Sequence, residues 1–104
     1  MFLILLNYTQ GIEKIEKQLP EHREYLDKYY TLNKFICSGA QIPRTGGVIL
    51  CNANNIAEVE CIVSEDPFSI NDVATFKIIE FNPTKYVGEF QQFIQPQIQS
   101  GLKQ

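Results

Sequence analysis

The chain holds one histidine, His22, inside "QLPEHREYL" (residues 18–26), and an aspartate ahead of a proline, Asp66, inside "SEDPFS" (64–69). An imidazole is the side chain best suited to take up and return a proton, and the neutral ring needs a partner that fixes which nitrogen carries its hydrogen. A carboxylate is the usual partner, which makes Asp66 a candidate to work with His22. Asp before Pro is also a common N-cap, here for the turn "PFSIND". Residue chemistry leaves both readings open. Ser38, at a strand end, and Tyr25, one turn from His22, are the candidates for substrate contact. Arg44 sits in a loop that either folds over a ligand or stays solvated. No G-x-S-x-G elbow marks a nucleophile.

These residues need elements to bring them together. Residues 2–8 are almost wholly apolar and suit a central strand covered on both faces. Residues 9–17 read as a lead-in loop and a short helical turn. A new helix is expected from Pro20, which fits a first helical position, to about Asn33. On that helix His22 begins an inner stripe with Leu26 and Tyr29, close to the positive helix end, which favours the neutral ring. Strands follow at 34–40 and 48–53, joined by the loop "QIPRTGG" (41–47). In the first of these, simple alternation places Phe35 and Cys37 on one face and Ile36 and Ser38 on the other. A second helix is expected over 54–65, capped by Asn54 or Asn55 and turning Ile56, Val59 and Val63 inward. "DPF" ends it, and 73–83 form a last strand with Phe76 and Ile78 on one face and Ile79 and Phe81 on the other. Residues 87–104 form a weakly patterned, Gln-rich tail in which Phe90, Phe93 and Ile94 offer a short apolar helix face before Pro96.

The order βαββαβ is the ferredoxin-like arrangement: an α+β domain over residues 1–86, with a four-stranded antiparallel sheet and two helices on one face. Strands at 2–8, 48–51 and 74–81 are apolar on both faces, while the helices cover only one. An exposed apolar face of about several hundred Å² is a liability in a monomer, so a homodimer through the sheet faces is expected. A monomer with the 87–104 tail folded over the sheet is the alternative.

Composition narrows the function classes. The 104 residues make a single domain, 44% hydrophobic and 20% charged, with net charge -3 and pI near 5.0. The nine basic residues are scattered among acids, unlike the gathered Lys and Arg of a nucleic-acid surface. "MFLILLNY" is far shorter than the ~20 residues of a membrane span and lacks a signal-peptide cleavage site. Cys37, Cys51 and Cys61 are odd in number without C-x-x-C spacing, so no metal site is read. They are expected to be buried free thiols in a reducing cytoplasm. No cofactor motif is visible.

"HREYL" on the first helix, "SGA" closing the second strand, "GGVIL" opening the third and "EDPF" after the second helix together resemble the YciI-like (YCII-related) family, over roughly residues 2–86. The resemblance implies a dimeric α+β barrel and an active-site dyad of a helix histidine and an Asp-Pro aspartate, falling on His22 and Asp66. Members include a dehydrochlorinase of chlorinated hydroxyquinols. Here Gly39-Ala40 stands where many relatives have Gly-Pro, and Gln18-Leu19 where an arginine often precedes the histidine. The expected function is cofactor-independent lyase or isomerase chemistry on a small cyclic or phenolic compound, with His22 as base and acid. The alternative is a non-catalytic ligand-binding or accessory dimer. A further possibility is an adaptor that uses the Gln-rich tail.

Overall fold

The computed structural model describes residues 1–94. Strand β1 (Phe2–Tyr8) leads into helix α1 (Ile12–Thr31), strands β2 (Phe35–Ala40) and β3 (Gly46–Cys51), helix α2 (Ile56–Ser64), the short helix α3 (Pro67–Ile70) and strand β4 (Ala74–Glu80). The strands lie in the order β2-β3-β1-β4, each neighbour antiparallel, which is the expected ferredoxin-like sheet. Along β1 the period-2 pleat sends Phe2, Ile4 and Leu6 into the core under the helices. Ile4 lies between Ile49 and Ile78. Phe76 and Ile78 share this inward face, as expected, while Leu3 and Leu5 point to the other side.

Helix α1 differs from expectation. It is one unbroken helix of 20 residues with Pro20 inside it, beginning after Gly11. Proline removes the donor that the Glu16 carbonyl would otherwise take and costs about 3 kcal/mol. Pro20 is exposed, so the freed carbonyl stays near water, while buried Ile15, Tyr25 and Tyr29 on both sides of the proline hold the helix to the sheet. The overlooked signal is Ile12, Ile15 and Leu19, already at helical spacing. His22 is therefore mid-helix, beyond the reach of the terminal dipole, which fades within the first turn. The helix ends where Asn33 adopts a left-handed backbone, φ 60°.

Strand β2 carries an irregularity at Ile36: Phe35 pairs with Cys51, but Cys37 pairs with Leu50 and Ser38 with Ile49. The extra residue turns Ser38 to the helix side with Phe35 and Cys37 away from it, overturning simple alternation. Cys37 and Cys61 are exposed, contrary to expectation, and only Cys51 is buried. Burial pushes the Cys51 thiol up to about 11. In α2 the Asn55 side chain accepts from the Glu58 N–H, and Val59 and Ile62 face inward while Ile56 is exposed. After β4, residues Gly88–Phe93 form a 3-10 turn that brings the Phe90 and Phe93 rings to 5.4 Å. Residues 95–104, including Pro96 and part of the Gln-rich stretch, lie outside the described residues.

Gly46 is required by backbone proximity: a Cβ there would run into the Leu6 carbonyl of the paired strand, whereas one on Gly39 would meet nothing. Gly46→Ala is expected to cost at least about 2 kcal/mol in urea unfolding, since backbone cannot yield as a side chain can. Gly39→Ala should stay within about 0.5 kcal/mol of the parent.

Candidate active site

Asp66 is fully buried. It is the N-cap of α3, and its Oδ1 accepts the Phe68 N–H at 2.9 Å. The same oxygen lies 2.8 Å from His22 Nδ1. The two sequence readings of Asp66, cap and histidine partner, thus coexist as geometry. An ionised carboxylate only accepts, so against such a partner a neutral imidazole carries its hydrogen on Nδ1 and keeps the lone pair on Nε2. Nε2 has no partner among the described residues. The ring plane is set as well: His22 stacks on Phe68 at 4.0 Å and 5°, and Tyr8 meets Phe68 edge-on. Phe68, which orients the carboxylate through its backbone and the imidazole through its ring, was missed as a site residue although "EDPF" contains it.

His22 borders a cavity of about 440 Å³ between α1 and the sheet. Its floor and walls are apolar, with Leu6, Leu19, Leu26, Ile49 and Phe68, and its polar groups include Ser38, Arg23, Arg44 and Glu16. Ser38 reaches this wall because of the β2 irregularity, its Oγ 2.6 Å from the Tyr30 hydroxyl. Tyr25, a candidate for substrate contact for which core packing is the other reading, lies in the core and not on the cavity wall, its hydroxyl donating to the Ile62 carbonyl at 2.8 Å. Burial and the nearby Asp66 carboxylate push that phenol far up, so it remains a donor. Among the described residues no group of three or more His, Cys, Asp or Glu side chains is placed to hold a metal, and no helix is long and apolar enough to cross a membrane.

The sequence matches the YCII-related domain over residues 1–82. The chain belongs to this family. Among solved structures it is similar to 5-chloro-2-hydroxyhydroquinone dehydrochlorinase from Burkholderia phenoliruptrix, in complex with 2,5-dihydroxybenzoquinone. The two are 20% identical with a TM-score of 0.68, covering 78% of this chain and 92% of that one. No protein of curated function matches the sequence.

In this YCII-related protein the dyad is one rung of a ladder. Gln18, His22, Tyr25 and Tyr29 recur along one face of α1, and each bonds to the segment from α2 through α3. Gln18 Oε1 accepts from Asn71 Nδ2 at 2.9 Å, and the Tyr29 hydroxyl donates to Glu65 Oε1 at 2.6 Å. Lys28 Nζ donates to the same Glu65 oxygen at 2.9 Å. The Tyr29 hydroxyl first, and then the Lys28 ammonium, hold the Glu65 carboxyl below its ordinary 4.5. A carboxyl depressed by folding contributes stability that is complete above the ordinary value and lost as pH falls through the lower folded value.

Thermal melts from about pH 5 down to about pH 3 should therefore show the parent losing more stability than Glu65→Gln. Asp66→Ala removes the α3 cap and strands the buried Phe68 N–H. It is expected to cost about 2–4 kcal/mol in urea unfolding, with Asp66→Asn, which keeps a capping oxygen, costing less.

Proposed function

We propose that this protein is a cofactor-independent acid–base enzyme of lyase or isomerase type acting on a small cyclic or phenolic compound. The observation that carries the reading is an imidazole whose Nδ1 lies 2.8 Å from a buried carboxylate while its other nitrogen, unpaired among the described residues, is left beside a cavity. His22 Nε2 takes a proton from an acidic O–H or C–H of the bound ring. Asp66, through Nδ1–H, fixes the tautomer and stabilises the imidazolium, and the same nitrogen returns the proton to a ring carbon. Where that carbon bears chlorine, chloride leaves with the bonding pair as a second ring hydroxyl gives its proton to solvent, so HCl is lost overall. Because the proton is taken and given back by one ring, the step needs no cofactor. Ser38, bonded to Tyr30, donates its hydroxyl to a substrate oxygen at the opposite wall. The fold likeness to an enzyme named for a chlorinated hydroxyhydroquinone supports the choice of ring compound.

The functional unit proposed is a cytoplasmic homodimer of the 1–86 domain. The sheet's outer face sets Leu3 between Leu50 and Ile79, and Leu5 beside Val48, a stripe that a second copy would cover. Exposed, unpaired Cys37 and Cys61 suit a reducing compartment.

Chloride release from 5-chloro-2-hydroxyhydroquinone is the first assay, with His22→Gln expected to lower the rate about 10²–10⁴-fold and Asp66→Asn at least about tenfold. A His22→Gln protein as fast as the parent would exclude the dyad. Independently of any substrate, ¹⁵N NMR of the lone histidine should show the hydrogen on Nδ1 in the parent and that preference weakened in Asp66→Asn. Ring compounds that bind beside His22 but never turn over would favour the ligand-binding alternative. In sedimentation the protein should run at twice 11.9 kDa, and Leu3→Glu at the single mass.

A further inference from the structure

The chain contains only two arginines, Arg23 and Arg44, and both line the cavity beside His22, while none of the lysines among the described residues does. They come from separate elements, Arg23 from α1 and Arg44 from the β2–β3 loop. Among the described residues neither makes an ion pair, although acidic side chains are plentiful on α1. The loop carrying Arg44 is tied down. Gln41 Nε2 donates to the Leu6 and Gly47 carbonyls at 3.1 and 3.3 Å, Thr45 N–H donates to the Pro43 carbonyl at 2.8 Å, and the Tyr8 N–H donates to the Thr45 carbonyl at 2.9 Å. A loop whose backbone is already fixed pays no loop-ordering cost when its cation engages a ligand. Glu16 is the single anion of the lining, so two guanidinium groups outweigh it. A guanidinium presents paired donors that match a carboxylate edge.

We propose that the ring compound taken by this cavity carries a carboxylate, held at the mouth by Arg23 and Arg44 while its ring lies against the apolar wall beside His22. The inference rests on the small-ring reading above and adds the charge of the substrate. Consecutive residues on a helix diverge by about 100°, so His22 and Arg23 serve neighbouring stripes of α1. The base turns toward Asp66 and the cation toward the cavity wall. The carboxylate is thereby kept apart from Asp66, which would repel it.

The test uses two matched probes, 2,5-dihydroxybenzoate and its neutral isostere 2,5-dihydroxybenzamide, titrated into the full chain with the His22 ring signals and the dissociation constant as readouts. The acid is expected to bind about tenfold tighter than the amide, and its advantage should shrink with added salt. Arg44→Gln and Arg23→Gln should each weaken binding of the acid more than binding of the amide, and so reduce the preference. Both side chains are exposed and unpaired, so both variants should fold. Equal affinity for the two probes, or a preference untouched by either substitution, overturns the proposal and leaves the small-ring reading standing. If neither probe moves the His22 signals, the small-ring reading fails and the carboxylate proposal falls with it.

Discussion

A carboxylate with no exposure to solvent is the constraint around which this structure is arranged. Burying Asp66 forfeits hydration worth several kcal/mol unless donors replace it. Among the described residues no lysine or arginine supplies them. One donor is the backbone N–H of Phe68, available because Pro67 turns the chain into α3 immediately after Asp66; the other is His22 on α1. Satisfying the aspartate therefore requires α1 and the α2–α3 corner to meet in one register, and the rungs from Gln18 to Tyr29 hold that register along the helix. The contact that closes the fold is also the one that orients the imidazole.

The carboxylate is not fully satisfied. Oδ1 receives both donors, while Oδ2 is buried with no partner among the described residues. An unpaired buried oxygen costs stability, and it leaves the negative charge concentrated next to the one group in the site that can become positive. In a low-dielectric setting the attraction between a carboxylate and an imidazolium is stronger than at the surface. A buried polar oxygen without a partner is the exception in folded proteins, and here it sits beside the His22 contact.

The fold was legible because its signals were redundant: a both-faces apolar β1, the Gly-Pro-rich loop between β2 and β3, Asn55 before an apolar-periodic run, and Asp-Pro after it. Two misreadings concerned local backbone behaviour. Pro20 looked like a helix start because its ring suits that position. Tertiary burial of Ile15 and Tyr25 on either side carried the helix through it instead. Simple alternation put Ser38 on the face opposite Phe35 because it assumes an unbroken ladder, and nothing in "KFICSGA" announces an extra residue at Ile36. Both errors bear on the site. The first removed a supposed dipole effect on His22, and the second delivered Ser38 to the cavity wall. The His22–Asp66 pairing itself joins residues far apart in sequence. The family resemblance pointed to it, whereas composition and spacing left it open.

Helix α1 shows why the two halves of the cavity can vary separately. Positions 18, 22, 25 and 29 are committed to α2 and α3 by hydrogen bonds, so a change there disturbs the packing of the domain. Glu16, Leu19, Arg23 and Leu26 recur on the adjacent stripe and border the cavity, and among the described residues Arg23 makes no ion pair. Substitution on this second stripe reshapes the cavity while leaving the dyad's supports in place. The interior of the domain thus fixes the His22–Asp66 pair, and side chains free of packing duties set the character of the cavity beside it.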